Sequence, residues 1–330
     1  MDRYALVNEW LTRQLSGQSF SLAPASADAS FRRYFRVSLT DTTLIVMDAP
    51  PEHEDCAPFV RIAGLMAAAG LNVPKVLAQD LAQGLLLLSD LGSTTYLTAL
   101  NDGNADRLFG DAIDTLIRWQ LASREGLLPE YGEALLQREL DLFPEWYLRR
   151  HLGIELDAAQ VQSLGNVFRL IIASNLAQPR TFVHRDFMPR NLMVTQPNPG
   201  VLDFQDAVYG PISYDIASLF KDAFVSWDEP RVLDWTIRYW EKARLAGLPV
   251  NADFGAFYRD FEWMGLQRHL KVLGIFARIC HRDGKPAYVK DTPRFLGYVR
   301  AVCERYAALS PLLRLLDQVA ERKPVIGYAS

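Results

Sequence analysis

The apolar and polar positions in the first part of the chain follow a strand pattern that one helix interrupts. Short apolar runs typical of β-strands lie at residues 31–39, 43–47, 76–78 and 84–88. The first two runs flank a polar Thr40-Asp41-Thr42 turn, which predicts a β-hairpin. Residues 59–69 carry apolar side chains at helical spacing, and Gly70 follows as a helix stop. This region therefore predicts a small mixed β-sheet with one helix.

After residue 91 the spacing of the apolar positions becomes helical. Apolar residues at i, i+3 and i+4 run through residues 105–122, 134–152 and 158–176. Short apolar runs alternate with polar turns between Thr181 and Phe204, and long helices return from Ile212. We therefore predict an α+β fold with two lobes. Residues 1–91 form an N-terminal lobe around the sheet, and residues 92–330 form a mainly helical C-terminal lobe.

The composition points to a small-molecule partner. The 330 residues include 39 acidic and 35 basic ones, for a net charge of -4, whereas proteins that bind nucleic acid need a surplus of Lys and Arg. No apolar segment approaches the roughly 20 residues of a membrane span. The 3 cysteines lie far apart, without the spacing of a zinc site or a disulfide framework. We expect a cytoplasmic protein that binds neither nucleic acid nor membrane and has no obligate protein partner.

One polar motif carries the candidate chemistry. His184-Arg185-Asp186 is followed by Asn191, which matches the H-R-D-x-x-x-x-N pattern of kinases, and Asp203 comes at the end of a short apolar run. A hydroxyl nucleophile needs a carboxylate that orients it and accepts its proton, and Asp186 is the candidate base. Mg²⁺ prefers carboxylate and amide oxygens, which Asp203 and Asn191 supply. A lone histidine is more often structural than catalytic, so His184 is expected to brace the loop.

With these motifs the chain resembles the aminoglycoside-phosphotransferase-like kinases of small molecules. The resemblance also rests on residues 86–92 at the lobe boundary and on residues 210–219 after the strand-borne aspartate. It implies a protein-kinase-like fold whose N-terminal lobe binds nucleotide, ATP and Mg²⁺ as cofactors, and a buried bracing role for Asp215. Within the family the chain is most similar to the bacterial anomeric kinases of N-acetylmuramate and N-acetylglucosamine, on residues 29–37 and 47–51.

The similarity to anomeric kinases implies a sugar acceptor that is phosphorylated on its C1 hydroxyl to a sugar 1-phosphate, in cell-wall recycling. Residues 138–150 combine a carboxylate, aromatic rings and a guanidinium on one helical face, if the helix continues past Pro144, and such a face suits a sugar. An aromatic stripe of this kind is also typical of a plain core. Residues 138–150 and residues 267–271 together carry at least as many cations as anions, which favours a neutral or anionic sugar over a polycationic aminoglycoside. The candidate substrate contacts are Glu139, Phe143, Trp146, Arg185 and Gln205.

The resemblance also implies the nucleotide contacts, which come from the loop before the hairpin and from the lobe boundary. They are Ser30, Phe31, Arg32, Arg33, Leu88, Ser89 and Leu91. The chain departs from the kinase pattern here, because the loop at 26–31 has no glycine and Met47 stands where kinases carry a lysine. A cation is still needed near the phosphates, and Arg33, or else Arg32, is the candidate. Only one of the two can reach the nucleotide, because successive strand side chains point to opposite faces. Both arginines can equally be solvated surface residues.

Two other functions stay open. The chain can be a kinase of another small acceptor, such as an aminoglycoside, choline or homoserine. The missing lysine and glycines also fit a pseudokinase-like module that binds nucleotide without transfer, although such a module has no need of the base Asp186. Protein kinases are excluded, because Gln205 follows Asp203-Phe204 where they carry the glycine of D-F-G.

Overall fold

The computed structural model describes residues 2–25 and 31–322, with every described side chain except that of residue 322. The chain divides into two compact units that interleave in sequence. Unit 1 comprises residues 1–119 and 189–207, and unit 2 comprises residues 120–188 and 208–330. This is a division by compactness alone, and the functional lobes at 1–91 and 92–330 stay a prediction.

Helices and strands account for most of both units. The helices are α1 (Arg3–Gln14), α2 (Ala57–Ala68), α3 (Tyr96–Ala99), α4 (Ala105–Leu121), α5 (Glu133–Leu140), α6 (Ala158–Leu176), α7 (Tyr214–Phe220), α8 (Glu229–Leu245), α9 (Phe254–Asp283), α10 (Thr292–Arg305) and α11 (Ser310–Arg322). The strands are β1 (Ser21–Pro24), β2 (Arg33–Ser38), β3 (Thr43–Asp48), β4 (Val76–Asp80), β5 (Leu85–Ser89), β6 (Arg180–Val183), β7 (Leu192–Met193), β8 (Gly200–Val201) and β9 (Val208–Pro211). A π-helical segment spans Phe143–His151, and 3₁₀ turns span Pro189–Asn191, Pro286–Asp291 and Ala307–Leu309.

Unit 1 contains a five-stranded sheet in the order β1-β2-β3-β5-β4. The predicted β2–β3 hairpin is confirmed, with Tyr34 opposite Met47. The prediction of a mixed sheet is wrong, because all the strand pairs of this sheet are antiparallel. The physical reason is the connectivity: β4 and β5 form a hairpin, and β5 then returns antiparallel beside β3.

Helix α1 packs on this sheet. It begins at the N-cap Asp2, whose side chain accepts the N–H of Tyr4. Val7 and Trp10 of the helix join Val37 of β2 in one buried apolar cluster. Burial of each such side chain stabilises the fold by about 1.5–3 kcal/mol, which is how a short amphipathic helix is held.

Unit 2 is mainly helical. Its apolar core gathers side chains from the π-helical segment, α6, α9 and α10, among them Tyr147, Ile171, Leu273 and Val299. The two-stranded sheet of β6 and β9 lies in the same unit. Together with the sheet of unit 1, this confirms the predicted α+β class. Among the described residues, no helix has both the length and the apolar character that crossing a membrane requires.

The helix predicted at 59–69 corresponds to α2, and two of the three helices predicted between residues 105 and 176 are also confirmed. The segments 105–122 and 158–176 correspond to α4 and α6. The third, 134–152, changes geometry in the middle: α5 ends at Leu140, and the π-helical segment continues with Pro144 in its first turn. Proline has no N–H to donate to the carbonyl four residues earlier, so the α-helical bonding stops there while the helical path goes on.

Candidate active site

The loop that carries Asp186 leaves strand β6 and is held by a buried carboxylate. We call residues 184–188 the Asp186 loop. Asp215, in the first turn of α7, is fully buried. Its carboxylate accepts the N–H of His184 at 2.7 Å and the N–H of Arg185 at 3.0 Å. Two hydrogen bonds to one buried carboxyl group therefore fix the backbone directly before Asp186.

The Asp186 loop turns sharply at its second residue. Arg185 has a φ of 76°, in the left-handed region, where a residue with a side chain is strained by about 1–3 kcal/mol. Nδ1 of the fully buried His184 accepts the N–H of Asp186 at 3.2 Å, and the carbonyl of Asp186 accepts the N–H of Met188 at 2.9 Å. The Asp186 residue itself is half-buried. The loop thus holds the backbone of a half-buried Asp186 in a fixed position, as a base that takes a proton from a bound substrate requires.

Burial raises the pKa of Asp215 to about 7, although the two N–H groups that it accepts oppose this shift. The charge of Asp186 raises this pKa further, and the charge of Arg268 lowers it. A carboxyl group with such a pKa changes its protonation state near neutral pH. The stability that Asp215 contributes therefore depends on pH in that range.

The Asp215→Asn variant is expected to remove this pH dependence. The folded-state pKa of Asp215 lies above the ordinary value of 3.8, so the folded protein holds the proton more tightly than the unfolded chain does. The free energy of unfolding contributed by Asp215 therefore falls as pH rises from about 4 to about 7, by on the order of 1 kcal/mol per pH unit. Denaturant unfolding at several pH values in this range should show the stability advantage of the wild type shrinking as pH rises. Parallel pH profiles for the two proteins would contradict this role.

A buried ionic cluster lies beside the Asp186 loop. Arg185 donates to Oε1 of Glu139 at 2.6 Å, and the Lys271 ammonium lies 2.9 Å from the same oxygen and donates to the hydroxyl of Tyr214 at 3.0 Å. Tyr131 donates its hydroxyl to the other oxygen of Glu139. Burial by itself raises the pKa of Glu139, but the charges of Lys271 and Arg185 outweigh it and hold this pKa below its ordinary value. Glu139 is therefore ionised and ties α5 to the loop and to α9.

The predicted substrate contacts differ in how much surface they offer. Arg185 and Glu139 are brought together, but Glu139 is only 4% exposed. Phe143 is fully buried in the core of unit 2, whereas Trp146 is partly buried with the guanidinium of Arg150 at 5.4 Å from its ring centroid. Contacts of these side chains with a sugar stay predictions. The sequence did not predict that Lys271 and Tyr131 bond to Glu139, because no local pattern pairs them with it.

In unit 1, a short hairpin of β7 and β8 brings the two candidate metal ligands together. The N–H of Leu202 donates to the carbonyl of Asn191 at 2.9 Å, which aligns the two ends of the hairpin. The Asn191 amide donates to Oδ2 of Asp203 at 3.4 Å. Gln205, predicted as a substrate contact, donates to Oδ1 of Asp203 at 2.8 Å. The side chains of Asn191 and Asp203 therefore lie next to each other, and their role as metal ligands stays a prediction.

The donor set of Asn191 and Asp203 fits Mg²⁺. Both side chains offer hard oxygen atoms, and Asp203 is exposed while Asn191 is buried. In the part of the chain that the structure describes, no three His, Cys, Asp or Glu side chains are placed to hold a metal ion. One carboxylate and one amide are enough for Mg²⁺, because this ion usually takes its other ligands from water and from phosphate oxygens of a nucleotide.

The strand position where kinases carry a lysine is followed here by a buried carboxylate. Asp48, next to Met47 at the end of β3, is fully buried and accepts hydrogen bonds from Nε of Arg3 and Nε of Arg33, each at 3.0 Å. The side chain of Arg33 keeps 46% of its surface exposed. Sequence reasoning missed Arg3 and Asp48. The available signal was an aspartate inside an apolar strand, which needs a buried cation partner.

Three other predicted nucleotide contacts belong to the loop before β2. Ser30 lies outside the described residues. Phe31 is 63% exposed and stacks on the ring of His53, with the centroids 4.4 Å apart. Arg32 has its Nε atom 4.0 Å from a carboxylate oxygen of Glu54. Phe31 is therefore an exposed aromatic residue in this loop. The nucleotide contacts of Ser30, Phe31 and Arg32 stay predictions.

The remaining nucleotide contacts lie at the end of β5 and just after it. Leu88 is buried, and Leu91 is half-buried. Ser89 donates its N–H to the carbonyl of Lys75 at 2.9 Å, and its hydroxyl accepts the N–H of Lys75 at 2.8 Å. This pair of bonds fixes the backbone of Ser89, where a nucleotide contact is predicted.

Comparison with known proteins identifies the family. The profile of the APH family, the phosphotransferase enzyme family, matches residues 21–250. The chain belongs to this family. It is 58% identical over 303 residues to the N-acetylmuramate/N-acetylglucosamine kinase of Pseudomonas aeruginosa, with 91% of this chain and 90% of the relative covered. It is 50% identical over 324 residues to the protein of the same name from Neisseria meningitidis, with 97% and 96% covered.

The fold of this phosphotransferase also matches solved structures. A choline/ethanolamine kinase family protein from Mesorhizobium loti superposes with a TM-score of 0.62 at 16% identity, over 94% of this chain and 99% of that chain. At this identity the likeness concerns the fold alone, and it confirms the predicted kinase-like α+β fold. The chain is therefore an enzyme of phosphoryl transfer, as the H-R-D-x-x-x-x-N motif predicts.

Proposed function

We propose that the protein is an ATP-dependent kinase of N-acetylmuramate and N-acetylglucosamine, which phosphorylates the C1 hydroxyl and releases the sugar 1-phosphate. The similarity to relatives with this substrate name, at 50% identity or more over nearly the whole chain, carries the proposal. The chemistry of C1 supports it, because an anomeric hydroxyl is more acidic than an ordinary alcohol and a weaker base is enough to accept its proton. A cytoplasmic location, where ATP is available, belongs to the same proposal.

Asp186 is the base in this proposal. The C1 oxygen attacks the γ-phosphorus, the bond from that phosphorus to the bridging oxygen breaks so that ADP leaves, and the hydroxyl proton moves to the Asp186 carboxylate. The hydrogen bonds of Asp215 and His184 to the loop backbone support this role. A base must keep its distance to the reacting hydroxyl, and a fixed backbone lowers the entropic cost of doing so.

Asn191 and Asp203 hold Mg²⁺ together with ATP. When bound, the ion neutralises the charge that builds up on the β- and γ-phosphate oxygens. The bond between Leu202 and Asn191 keeps the hairpin closed, and the Gln205 amide orients one oxygen of Asp203. Gln205 therefore supports the metal ligand, and its additional contact with the sugar belongs to the same proposal.

A panel of acceptors tests the proposed function. The purified protein is incubated with ATP and N-acetylmuramate, N-acetylglucosamine, choline, homoserine or an aminoglycoside, with and without Mg²⁺. We expect Mg²⁺-dependent ADP release with the two N-acetyl sugars, and coupling of phosphorus to the anomeric proton in the NMR spectrum of the product. Transfer to one of the other acceptors alone would overturn the substrate assignment. Nucleotide binding without transfer to any acceptor would favour the pseudokinase-like module.

Arg33 contacts the ATP phosphates in this proposal, with Arg32 as the alternative. A triphosphate needs a fixed cation besides Mg²⁺. The guanidinium of Arg33 is held in place by Asp48, and 46% of the Arg33 side chain is exposed. Separate Arg33→Ala and Arg32→Ala variants should differ. One of them should lose about 2–3 kcal/mol of transition-state stabilisation, measured as kcat/KM for ATP, which is the scale of a charge-assisted hydrogen bond.

Arg3→Ala is the matched control for Arg33→Ala. Both substitutions remove one of the two arginines that hold the buried Asp48, so both are expected to lower thermal stability. Only the substitution of a phosphate-binding arginine raises KM for ATP. If Arg3→Ala and Arg33→Ala change kcat/KM equally, and Arg32→Ala changes nothing, the phosphate cation lies elsewhere in the fold.

A further inference from the structure

An arginine of α9 lies buried against the Asp186 loop, and none of the carboxylates that the structure describes is bonded to it. Arg268 is 2% exposed, and its Nη2 atom contacts Sδ of Met188 at 3.7 Å. Met188 in turn donates its N–H to the carbonyl of Asp186 at 2.9 Å. The Nη1 atom of Arg268 is also buried, and it has no hydrogen-bond partner among residues 2–25 and 31–322. A charge removed from water is costly unless an anion or hydrogen bonds replace the water.

A buried acceptor of the opposite charge lies in the same region. Asp222, two residues after the end of α7, is fully buried, and its Oδ2 accepts the N–H of Phe224 at 2.9 Å and the N–H of Val225 at 3.3 Å. Its Oδ1 is buried and has no partner within the described chain. Burial raises the pKa of Asp222, and the charge of Arg268 opposes that rise, so the two groups lie close enough to interact. Neither group satisfies the other through a hydrogen bond or an ion pair.

Hydroxyl and aromatic groups complete this region of unit 2. The hydroxyls of Ser226 and Tyr298 lie 2.9 Å apart, and the ring of His269 lies 4.9 Å from the ring of Tyr298. The charges of Asp222 and Arg268 both act on the pKa of Tyr298, which burial raises, so Tyr298 belongs to the same neighbourhood. Burial holds the pKa of His269 well below its usual range, and its ring is neutral. A guanidinium, a carboxylate, hydroxyls and rings are the groups that recognise an acidic sugar.

We propose that Arg268 binds the carboxylate of an acidic amino sugar and that Asp222 accepts a hydrogen bond from a hydroxyl or acetamido N–H of the same sugar. This inference rests on the proposed function, and the carboxylate in question is that of the lactyl group of N-acetylmuramate. A guanidinium presents parallel N–H donors that match a carboxylate. N-acetylglucosamine has no such group. Arg268 is therefore a specificity-determining residue that favours the acidic sugar over the neutral one.

The Arg268→Gln variant tests this subsite when kcat and KM are measured separately for the two sugars. We expect kcat/KM for N-acetylmuramate to fall about 10–100-fold more than kcat/KM for N-acetylglucosamine, the range of a lost hydrogen bond to a charged group. The selective loss should appear in KM, because the lactyl carboxylate is not the reacting group. Arg268→Lys, which keeps the charge without the fork of donors, should lie between the wild type and Arg268→Gln. Arg278→Gln is the matched control on the same helix, and both of its kcat/KM values should remain those of the wild type.

Each other outcome overturns the subsite. If kcat/KM falls equally for the two sugars, Arg268 supports the Asp186 loop and does not bind a carboxylate. If kcat/KM is unchanged for both sugars, Arg268 has no part in sugar recognition. If Arg268→Gln does not fold, Arg268→Lys decides by the same comparison between sugars. A wild-type enzyme that phosphorylates N-acetylglucosamine but not N-acetylmuramate overturns the subsite while the kinase activity stands. A wild-type enzyme that phosphorylates neither sugar overturns the proposed function itself.

Discussion

The Asp186→Asn variant is expected to lose phosphoryl transfer while it binds MgATP about as tightly as the wild type. Asparagine keeps the size of the side chain but cannot take up the hydroxyl proton, and a positioned base contributes about 10²–10⁴-fold to the rate. The loop should keep its conformation, because Asp215 and His184 bond to backbone N–H groups that the substitution leaves in place. Turnover is measured as ADP release with saturating sugar, and MgATP affinity by calorimetry.

Asp234→Asn is the control for the loss of a negative charge. Asp234 lies on α8 of the same unit, where it is exposed and pairs with Arg238 at 2.8 Å. This variant should have the turnover rate of the wild type, because an exposed ion pair that solvent screens contributes little to the stability of the fold. If Asp186→Asn retains more than about a tenth of wild-type turnover, Asp186 is not the base of the reaction.

The Asp203→Ala variant is expected to lose the binding of ATP that depends on Mg²⁺. Removal of the carboxylate leaves the Asn191 amide as the remaining member of the proposed ligand pair, and one neutral oxygen does not hold the ion. The affinity for MgATP should fall by more than about 10–100-fold, the range seen when only an outer partner of a metal ligand is lost. Calorimetry with MgATP, and with ATP in the presence of a chelator, separates the metal-dependent part from the rest.

Asp206→Ala is the control for this measurement. Asp206 is exposed and lies three residues after Asp203 in the same unit, so the two variants lose the same charge at neighbouring positions. Asp206→Ala should bind MgATP like the wild type, and both variants should bind metal-free ATP alike. If Asp203→Ala binds MgATP as tightly as the wild type, Asp203 is not a ligand of the metal ion.

The two largest predictions come from residues that the sequence alone singles out. Asp186 and Asn191 stand in one short motif, and Asp203 follows at the end of a strand, so their chemistry is readable from local spacing. The helices α4 and α6 are equally readable, because apolar residues recur along them at helical spacing over many turns. The β2–β3 hairpin belongs to the same class, since its polar turn lies between two apolar runs.

Geometry that depends on distant parts of the chain could not be predicted in this way. The sequence predicts a mixed sheet because it shows strands but not their direction, whereas the tertiary pairing of β3 with β5 makes the sheet antiparallel. Glu139 reads as a sugar contact on a helical face, yet the folded chain brings Arg185, Lys271 and Tyr131 to it from three other segments. Local patterns carry no information on such partners.

The sequence by itself therefore determined the class of fold, the helices α4 and α6, the β2–β3 hairpin, and the three residues proposed for base and metal. Those features depend on spacing within short segments, where backbone periodicity and motif chemistry act directly. Only the tertiary structure decided that Asp48 pairs with Arg3, 45 residues away, and that Arg268 lies against Met188, 80 residues away. The physical reason is that a buried charge takes whichever partner the packing of the whole chain brings near it, and no local pattern specifies that partner.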